Sequence, residues 1–267
     1  MNGGLIEPPL LFILDKLHSI LFEKKCTLRP ILAELKTMEV PIIYQDEYLL
    51  IVDKPIDLPV HKNDFMPHDA DYLTKLIGDK TGQWIYNVHR LDSKTSGLII
   101  LALSSEVAHQ LTLQFERKEV QKEYLAIVLG EVDDEGVFDQ KVVVKKKSKF
   151  KKPAVTRFEN IQRVETTISY KDHTNVSISL VRVLPETGRW HQIRQHFAKN
   201  RHDIVGDSHH GDFTLNKLIK AEYGFNRLML HASKLSFVHP VTAEKLQFET
   251  AIPDEFHQLL KAVSSEK

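Results

Sequence analysis

The stretch "HRLDSKTSGLIILAL", His89 to Leu103, carries the reading of this chain. Arg90 and Asp92 stand two residues apart, a Ser/Thr/Gly turn follows, and Leu98–Leu103 is an unbroken apolar run. Such a run, bounded by turn residues, reads as a buried strand. After it, Ser104 or Ser105 can cap a helix over 106–117, with Val107, Leu111 and Phe115 on one face. Before it, Trp84–Val88 reads as another strand. Asp92 therefore falls in a turn between two strands. An isolated aspartate is usually a surface ion pair or a helix cap. Loops on a rigid scaffold, however, are where function concentrates. In an extended segment Arg90 and Asp92 point to the same side. A carboxylate there can act as nucleophile, general base or metal ligand.

Working outward, "PIIYQ" and "YLLIVDK" read as a hairpin turning at Asp46–Glu47. A helix is expected over 69–77. "EYLAIVLG" reads as a strand ending at Gly130, and "NVSISLVRVLP" as one ending at Pro185. A helix is expected over 190–199, strands over 228–237 and 245–250, and a closing helix over 253–262. Consecutive strands are joined too tightly for helical crossovers. The expectation is an α+β fold: a mixed, mainly antiparallel sheet with flanking helices. Residues 1–37 read differently. Leu10, Leu14, Leu17 and Leu21 are spaced for a short amphipathic helix, and Met38 stands before the first strand. This segment is expected to be an N-terminal appendage to a catalytic domain spanning 38–267.

The bulk numbers exclude several classes. Apolar residues make up 42% and charged residues 27% of the 267, an ordinary globular balance. Lys and Arg total 36, as do Asp and Glu, so only local clustering can argue for nucleic acid. A lone cysteine, Cys26, excludes an internal disulfide and a cysteine-based zinc site, and suits the reducing cytoplasm. No apolar run reaches the length of a membrane span, and no secretory signal is legible.

Charge clusters twice. "KVVVKKKSKFKK", Lys141 to Lys152, holds seven lysines and no acid. "TGRWHQIRQHFAKNRH", Thr187 to His202, holds Arg189, Arg194, Lys199 and Arg201 and again no acid. A single lysine run can be no more than a solvated loop. Two acid-free clusters in a neutral chain point to an RNA or DNA backbone.

His61, His68, His89, His191, His196, His209, His210 and His231 invite a metal. Adjacent His209 and His210 of "GDSHHGD" should diverge, and no H-E-x-x-H helix is present, so no catalytic metal is expected. No glycine phosphate loop and no serine nucleophile elbow occurs, so no cofactor is expected either. Tyr124 lies on an alternating strand and offers a ring on which a flipped base could stack.

Together these segments resemble the RluA family of pseudouridine synthases, over about residues 42–260. "HRLDSKTSGLIILA" is similar to that family's H-R-L-D-x-x-T-S-G signature. "QKEYLAIVLG" resembles its tyrosine strand, "PETGRWHQIRQHF" its third motif, and "IVGDSHHGD" and "RLMLHASKLSFVHP" its C-terminal motifs. The lack of an S4-type N-terminal module and the wording "DSHHGDFTLNK" resemble the branch that acts on uridine 65 of tRNA. The resemblance implies the family's catalytic fold, no cofactor, an RNA partner, a monomer and a cytoplasmic site of action. Asp92 would be the nucleophile, attacking ribose C1′ or base C6. Arg194 would keep it ionised, and Tyr124 would stack on uracil and take the C5 proton. Ile193 would pack under the base, Arg90 would fill the gap left by the flipped nucleotide, His89 beside it would bind the RNA substrate, and Arg189, Lys199, Arg201 and the lysine run would hold phosphates. An rRNA-directed relative or a non-catalytic RNA binder are the other readings. In one place the chain departs from the family: "KPIDLPVH" has Asp57 where the family usually has glycine two residues after the proline.

Overall fold

The computed structural model describes residues 39–62, 66–146, 148–171, 174–225 and 227–264. The appendage and Cys26 lie outside the described residues. Two strands form the middle of the first half, β2 (Leu49–Lys54) and β4 (Ser96–Ala102). Every residue of β4 is buried, because both of its faces are covered. Ile99 and Leu101 point to one core with Leu58, Val60, Leu73, Ile77 and Leu91. Leu98, Ile100 and Ala102 point to another with Val107, Leu111, Leu235 and Phe237. A strand covered on both faces needs a continuous apolar run rather than an alternating one.

The sheet has ten strands. Eight run in the order β1 (Ile42–Gln45), β2, β4, β11 (Leu230–Val238), β5 (Gln121–Leu129), β10 (Ser177–Pro185), β9 (Val155–Glu165) and β6 (Glu135–Asp139). β3 (Tyr86–Asn87) adds to β4, and β12 (Lys245–Glu249) adds to β11. Among the described residues only the β4–β11 pair is parallel; the others are antiparallel. Gly97 permits that parallel approach. It sits at φ +112°, and a Cβ there would lie 2.3 Å from the carbonyl oxygen of Ala232. A separate ribbon pairs β7 (Val142–Val143) with β8 (Lys151–Lys152) inside the lysine run.

Among the described residues five helices flank the sheet: α1 (Leu73–Thr81), α2 (Ser105–Glu116), α3 (Gln192–Lys199), α4 (Phe213–Tyr223) and α5 (Asp254–Ser264). Ser104 caps α2 by accepting from the Val107 amide at 3.2 Å. The mixed, mainly antiparallel α+β expectation therefore holds.

Three local expectations need correction. α1 starts at Leu73 rather than Asp69. The amides of Leu73 and Thr74 donate to the carbonyls of Pro59 and Val60, at 2.8 and 3.1 Å, so a distant loop caps the helix. β9 escaped the sequence reading because its alternation is broken. Leu180 faces Gln162 and Val181 faces Asn160, which leaves Ile161 as the extra residue of a bulge. α4 was also missed, though its signals are ordinary. The Asp212 carboxylate accepts from the Thr214 and Leu215 amides, Leu215 and Ile219 are buried one turn apart, and Gly224 follows its end.

Candidate active site

The turn carrying Asp92 is fastened from both sides. At its start, His89 Nε2 accepts the Ile100 amide at 2.9 Å, and the ring stacks on Phe115 at 4.5 Å. Burial holds this imidazole neutral, at about 3. At its end, Lys54 Nζ donates to the carbonyls of Pro55, Leu58 and Ser93 at 2.7, 2.9 and 3.1 Å. Lys54 is fully buried. Burial draws its ammonium down to about 7, against the pull of Asp92 and Asp57. Its three carbonyl partners match the three N–H groups of the charged form. The Thr95 amide closes the turn on the Asp92 carbonyl at 3.0 Å.

Asp57 answers its own oddity. It sits at φ +65°, the left-handed conformation for which glycine is the usual choice, and its carboxylate pairs with Lys94 at 2.5 Å.

Opposite Asp92 stands the first turn of α3. Gln192 fixes this entry: its Oε1 accepts from Thr187 Oγ1 at 2.6 Å and from the Arg189 amide at 3.0 Å. His191 occupies the cap position at φ +46°, an uncommon conformation for a residue with a side chain. Arg194 then reaches two carboxylates. Its Nε and Nη2 donate to Asp207 Oδ2 and Oδ1 at 2.8 and 2.7 Å, and its Nη1 donates to Asp92 Oδ2 at 3.0 Å. The side chains of Arg194 and Asp207 are 6% and 1% exposed, that of Asp92 21%. Burial raises the Asp207 carboxyl, but the hydrogen bonds and charge of Arg194 outweigh it, helped by the amides of His209 and His210, and hold it at about 2. The guanidinium is in turn held charged against its burial by Asp207 and Asp92.

Asp207 is placed by Gly206. That glycine lies at φ +77°, and a Cβ on it would lie 1.8 Å from the Arg227 carbonyl.

The second Nη1 neighbour is His191 Nε2, at 3.0 Å. Burial, then the charge of Arg194, keep His191 neutral, at about 3. Its 3.5 Å approach to Asp92 Oδ2 is therefore not an ion pair. Because Nε2 accepts from Arg194, the ring hydrogen is assigned to Nδ1, which faces His210 Nε2 at 2.9 Å. The expectation that His209 and His210 diverge is overturned. Their backbone amides both donate to Asp207 Oδ1, at 2.9 and 3.0 Å, and this fold of the loop turns both rings towards His191.

Two adjoining hollows, of about 420 and 740 Å³, share Arg90, Leu91, Asp92, Trp190, His191 and Arg194. That volume range suits a ligand of nucleotide size. Tyr124 and Ile193 line the larger hollow, Arg90 borders both, and exposed Arg189 stands at the rim. Burial, then the Asp92 carboxylate, raise the Tyr124 phenol, so it stays protonated near neutral pH.

The two basic clusters meet. The Gln195 carboxamide bonds the Val143 amide and carbonyl at 3.0 and 3.2 Å, and Lys199 Nζ donates to the Lys141 carbonyl at 2.5 Å. The lysine ribbon is thus hung on α3, with Val144 and Lys145 at the larger hollow. Lys199 and Arg201 are exposed and lie outside both hollows.

The sequence reading assigned no role to Asp207, Lys54 or Lys122. Lys122 lines the larger hollow, and burial lowers it to about 8. Its place on the Tyr124 face of β5 was the available signal. His196 and His231 are core residues. His196 bonds Thr156 Oγ1 and the Gln140 carbonyl, and His231 bonds Ser96 Oγ.

Comparison with known proteins agrees with this geometry. Residues 48–199 match the family model described as RNA pseudouridylate synthase. The tRNA pseudouridine synthase C of Vibrio parahaemolyticus is 39% identical over 231 residues, 83% of this chain and 94% of that protein. The protein of the same name from Yersinia pestis is 42% identical over 214 residues, 77% of this chain and 83% of that protein. Among solved structures, human RNA pseudouridylate synthase domain containing 4 superposes with a TM-score of 0.63 at 26% identity, covering 88% of this chain and 96% of that one. Human RNA pseudouridylate synthase domain containing 1 shares the fold, with a TM-score of 0.65 at 22% identity over 84% and 95% of the two chains. A family model that matches more than half of the chain, and relatives at 39% and 42% identity over most of it, lead to one conclusion: the chain belongs to the RNA pseudouridylate synthase family and is an isomerase of uridine.

Proposed function

We propose that the chain converts uridine to pseudouridine at position 65 of tRNA, in the acceptor and T-stem region, with Asp92 as nucleophile. The single observation that carries the nucleophile is the Asp92–Arg194 contact of 3.0 Å at the meeting point of the two hollows. One carboxylate oxygen, Oδ2, is spoken for. Among the described residues, Oδ1 takes no hydrogen bond and is free to attack. The names of the relatives support tRNA as the substrate.

The reaction needs no energy source, since uracil is released and rejoined within one nucleotide. Asp92 attacks ribose C1′ or base C6. The N1–C1′ bond breaks, the uracil turns, and C5–C1′ forms. C5 then loses its hydrogen and N1 gains one. Tyr124 stacks on the ring. Because its phenolate is opposed by burial and by Asp92, it serves as a relay: it takes the C5 proton while passing its own to the carboxylate, whose bond to the substrate has broken, and Asp92 then gives that proton to N1, so both residues end as they began. A stacked uridine is out of reach, so the nucleotide flips, at about a few kcal/mol, and Arg90 fills the gap. Arg189, Lys199, Arg201 and the lysine ribbon hold phosphates and offset that cost.

The test is Asp92→Asn with carbodiimide mapping of pseudouridine in total RNA. The expected result is loss of one signal, at tRNA position 65, with RNA affinity kept. Continued isomerisation by the variant sinks the nucleophile. A lost signal in rRNA instead sinks the substrate.

A further inference from the structure

We propose that His191, His209 and His210 form a binding site for a borderline divalent cation such as Zn²⁺. Loading it silences the isomerase by turning the His191 ring hydrogen onto Asp92. The silencing rests on the reading of Asp92 as nucleophile; the binding site does not.

The donors are in place. Each histidine offers one ring nitrogen, and all three lie within 4.8 Å of one another. His191 Nδ1 and His210 Nε2 are 2.9 Å apart. Two nitrogens bound to one zinc at about 2.1 Å stand about 3.0–3.4 Å apart, so the separation of this pair already fits and the rings need only turn their lone pairs onto one point. His209 is exposed, and its side chain has room to close the remaining gap. The backbone under His209 and His210 is held by Asp207, and Trp190 walls the cluster. Its ring stacks on His191 at 3.9 Å and lies 5.6 and 5.8 Å from those of His209 and His210. An all-imidazole set suits zinc, copper or nickel rather than magnesium or calcium. Asp92 and Asp207 set two negative charges against the positive charges of Arg194 and Lys199, so the cluster does not sit in a net positive field.

The coupling follows from the tautomer. Without the cation, Arg194 donates to His191 Nε2 and the ring hydrogen is on Nδ1. The cation takes Nδ1, so the hydrogen of the neutral ring moves to Nε2. That nitrogen can no longer accept from Arg194. It faces Asp92 Oδ2, now 3.5 Å away. A metal-bound histidine usually donates its other N–H to a carboxylate, and here that carboxylate is the proposed nucleophile: a second hydrogen bond on Oδ2, beside that of Arg194, draws negative charge from the carboxylate and weakens attack by Oδ1.

Untagged protein is titrated with Co²⁺, read by visible absorption, and with Zn²⁺ in competition with a chromophoric chelator. The expected result is one saturable equivalent and loss of pseudouridine formation on loading, restored by chelator. His209→Ala should keep basal turnover, weaken the cation at least tenfold and abolish the inhibition. Asp92→Asn should weaken it about tenfold, as the loss of a supporting carboxylate does. Absence of saturable binding, or binding unchanged in His209→Ala, overturns the site. Binding that His209 controls but that leaves turnover unchanged overturns the silencing. An Asp92→Asn protein that still isomerises uridine sinks the nucleophile and leaves the binding result standing.

Discussion

Arg194 meets Asp92 through one nitrogen only, Nη1 at 3.0 Å from Oδ2, while its other edge is locked on Asp207. The pair at Asp207 is bidentate and buried, so it fixes the guanidinium plane. Asp92 is then aligned by a group that is itself immobile. The arrangement places one oxygen of Asp92 without covering the other.

Arg194→Lys should separate placement from charge. A lysine keeps the positive charge but cannot fork onto Asp207 and reach Asp92 together. Turnover is expected to fall about a hundredfold, the scale of a misplacement of about 1 Å. Stability is expected to fall by roughly 1.5–3 kcal/mol, for one lost charged hydrogen bond. Single-turnover kinetics and thermal melts check both; an active, stable variant would refute the alignment role.

Acid should expose the Asp207 pair. Its carboxyl is lowered to about 2 from an unfolded value of 3.8. The unfolded chain therefore binds the proton first as pH falls. The contribution, about 2 kcal/mol, is complete above the unfolded value and is lost as pH falls from about 4 to about 2. Urea unfolding at a series of pH values should show a slope in that window that Asp207→Asn removes. Equal slopes would show that Arg194 does not hold the carboxylate.

Lys54→Met should strand three carbonyls. Those of Pro55, Leu58 and Ser93 would keep their burial and lose their shared donor. A loss of at least about 2 kcal/mol is expected, net of the relief from removing a buried charge. Turnover should fall too, because Ser93 follows Asp92. Denaturant midpoints matching wild type would show that the ammonium is not the staple of this turn.

Asp57→Gly should be tolerated. Glycine removes the cost of φ +65°, about 1 kcal/mol, and loses only the exposed pair with Lys94, worth about as little. The melting temperature should stay within a few degrees of wild type, and Asp57→Val should lower it clearly. A valine as stable as the aspartate would contradict the left-handed turn.

Much of the fold was readable because it is local. The apolar run of β4, the hydroxyl cap of α2 and the alternation of β10 are patterns of neighbouring residues. β9 was not readable, since one bulged residue, Ile161, cancels its period. The start of α1 was not, since its cap comes from Pro59 and Val60. His89 shows the same limit within the site. Its motif suggested RNA, and His89 does line the larger hollow, but only the structure shows that its Nε2 accepts from the Ile100 amide.

The sequence by itself determined most of the strands and helices, the signature around Asp92 and the two acid-free clusters. Only the tertiary structure decided that Asp92 and Arg194, 102 residues apart, share a hydrogen bond, that Asp207 anchors their contact, and that three histidines converge beside it. The reason is range. Backbone propensity and side-chain periodicity act over a few residues and are written in order along the chain. A hydrogen bond between distant segments depends on their separation to within a few tenths of an ångström. The path of the whole backbone sets that separation.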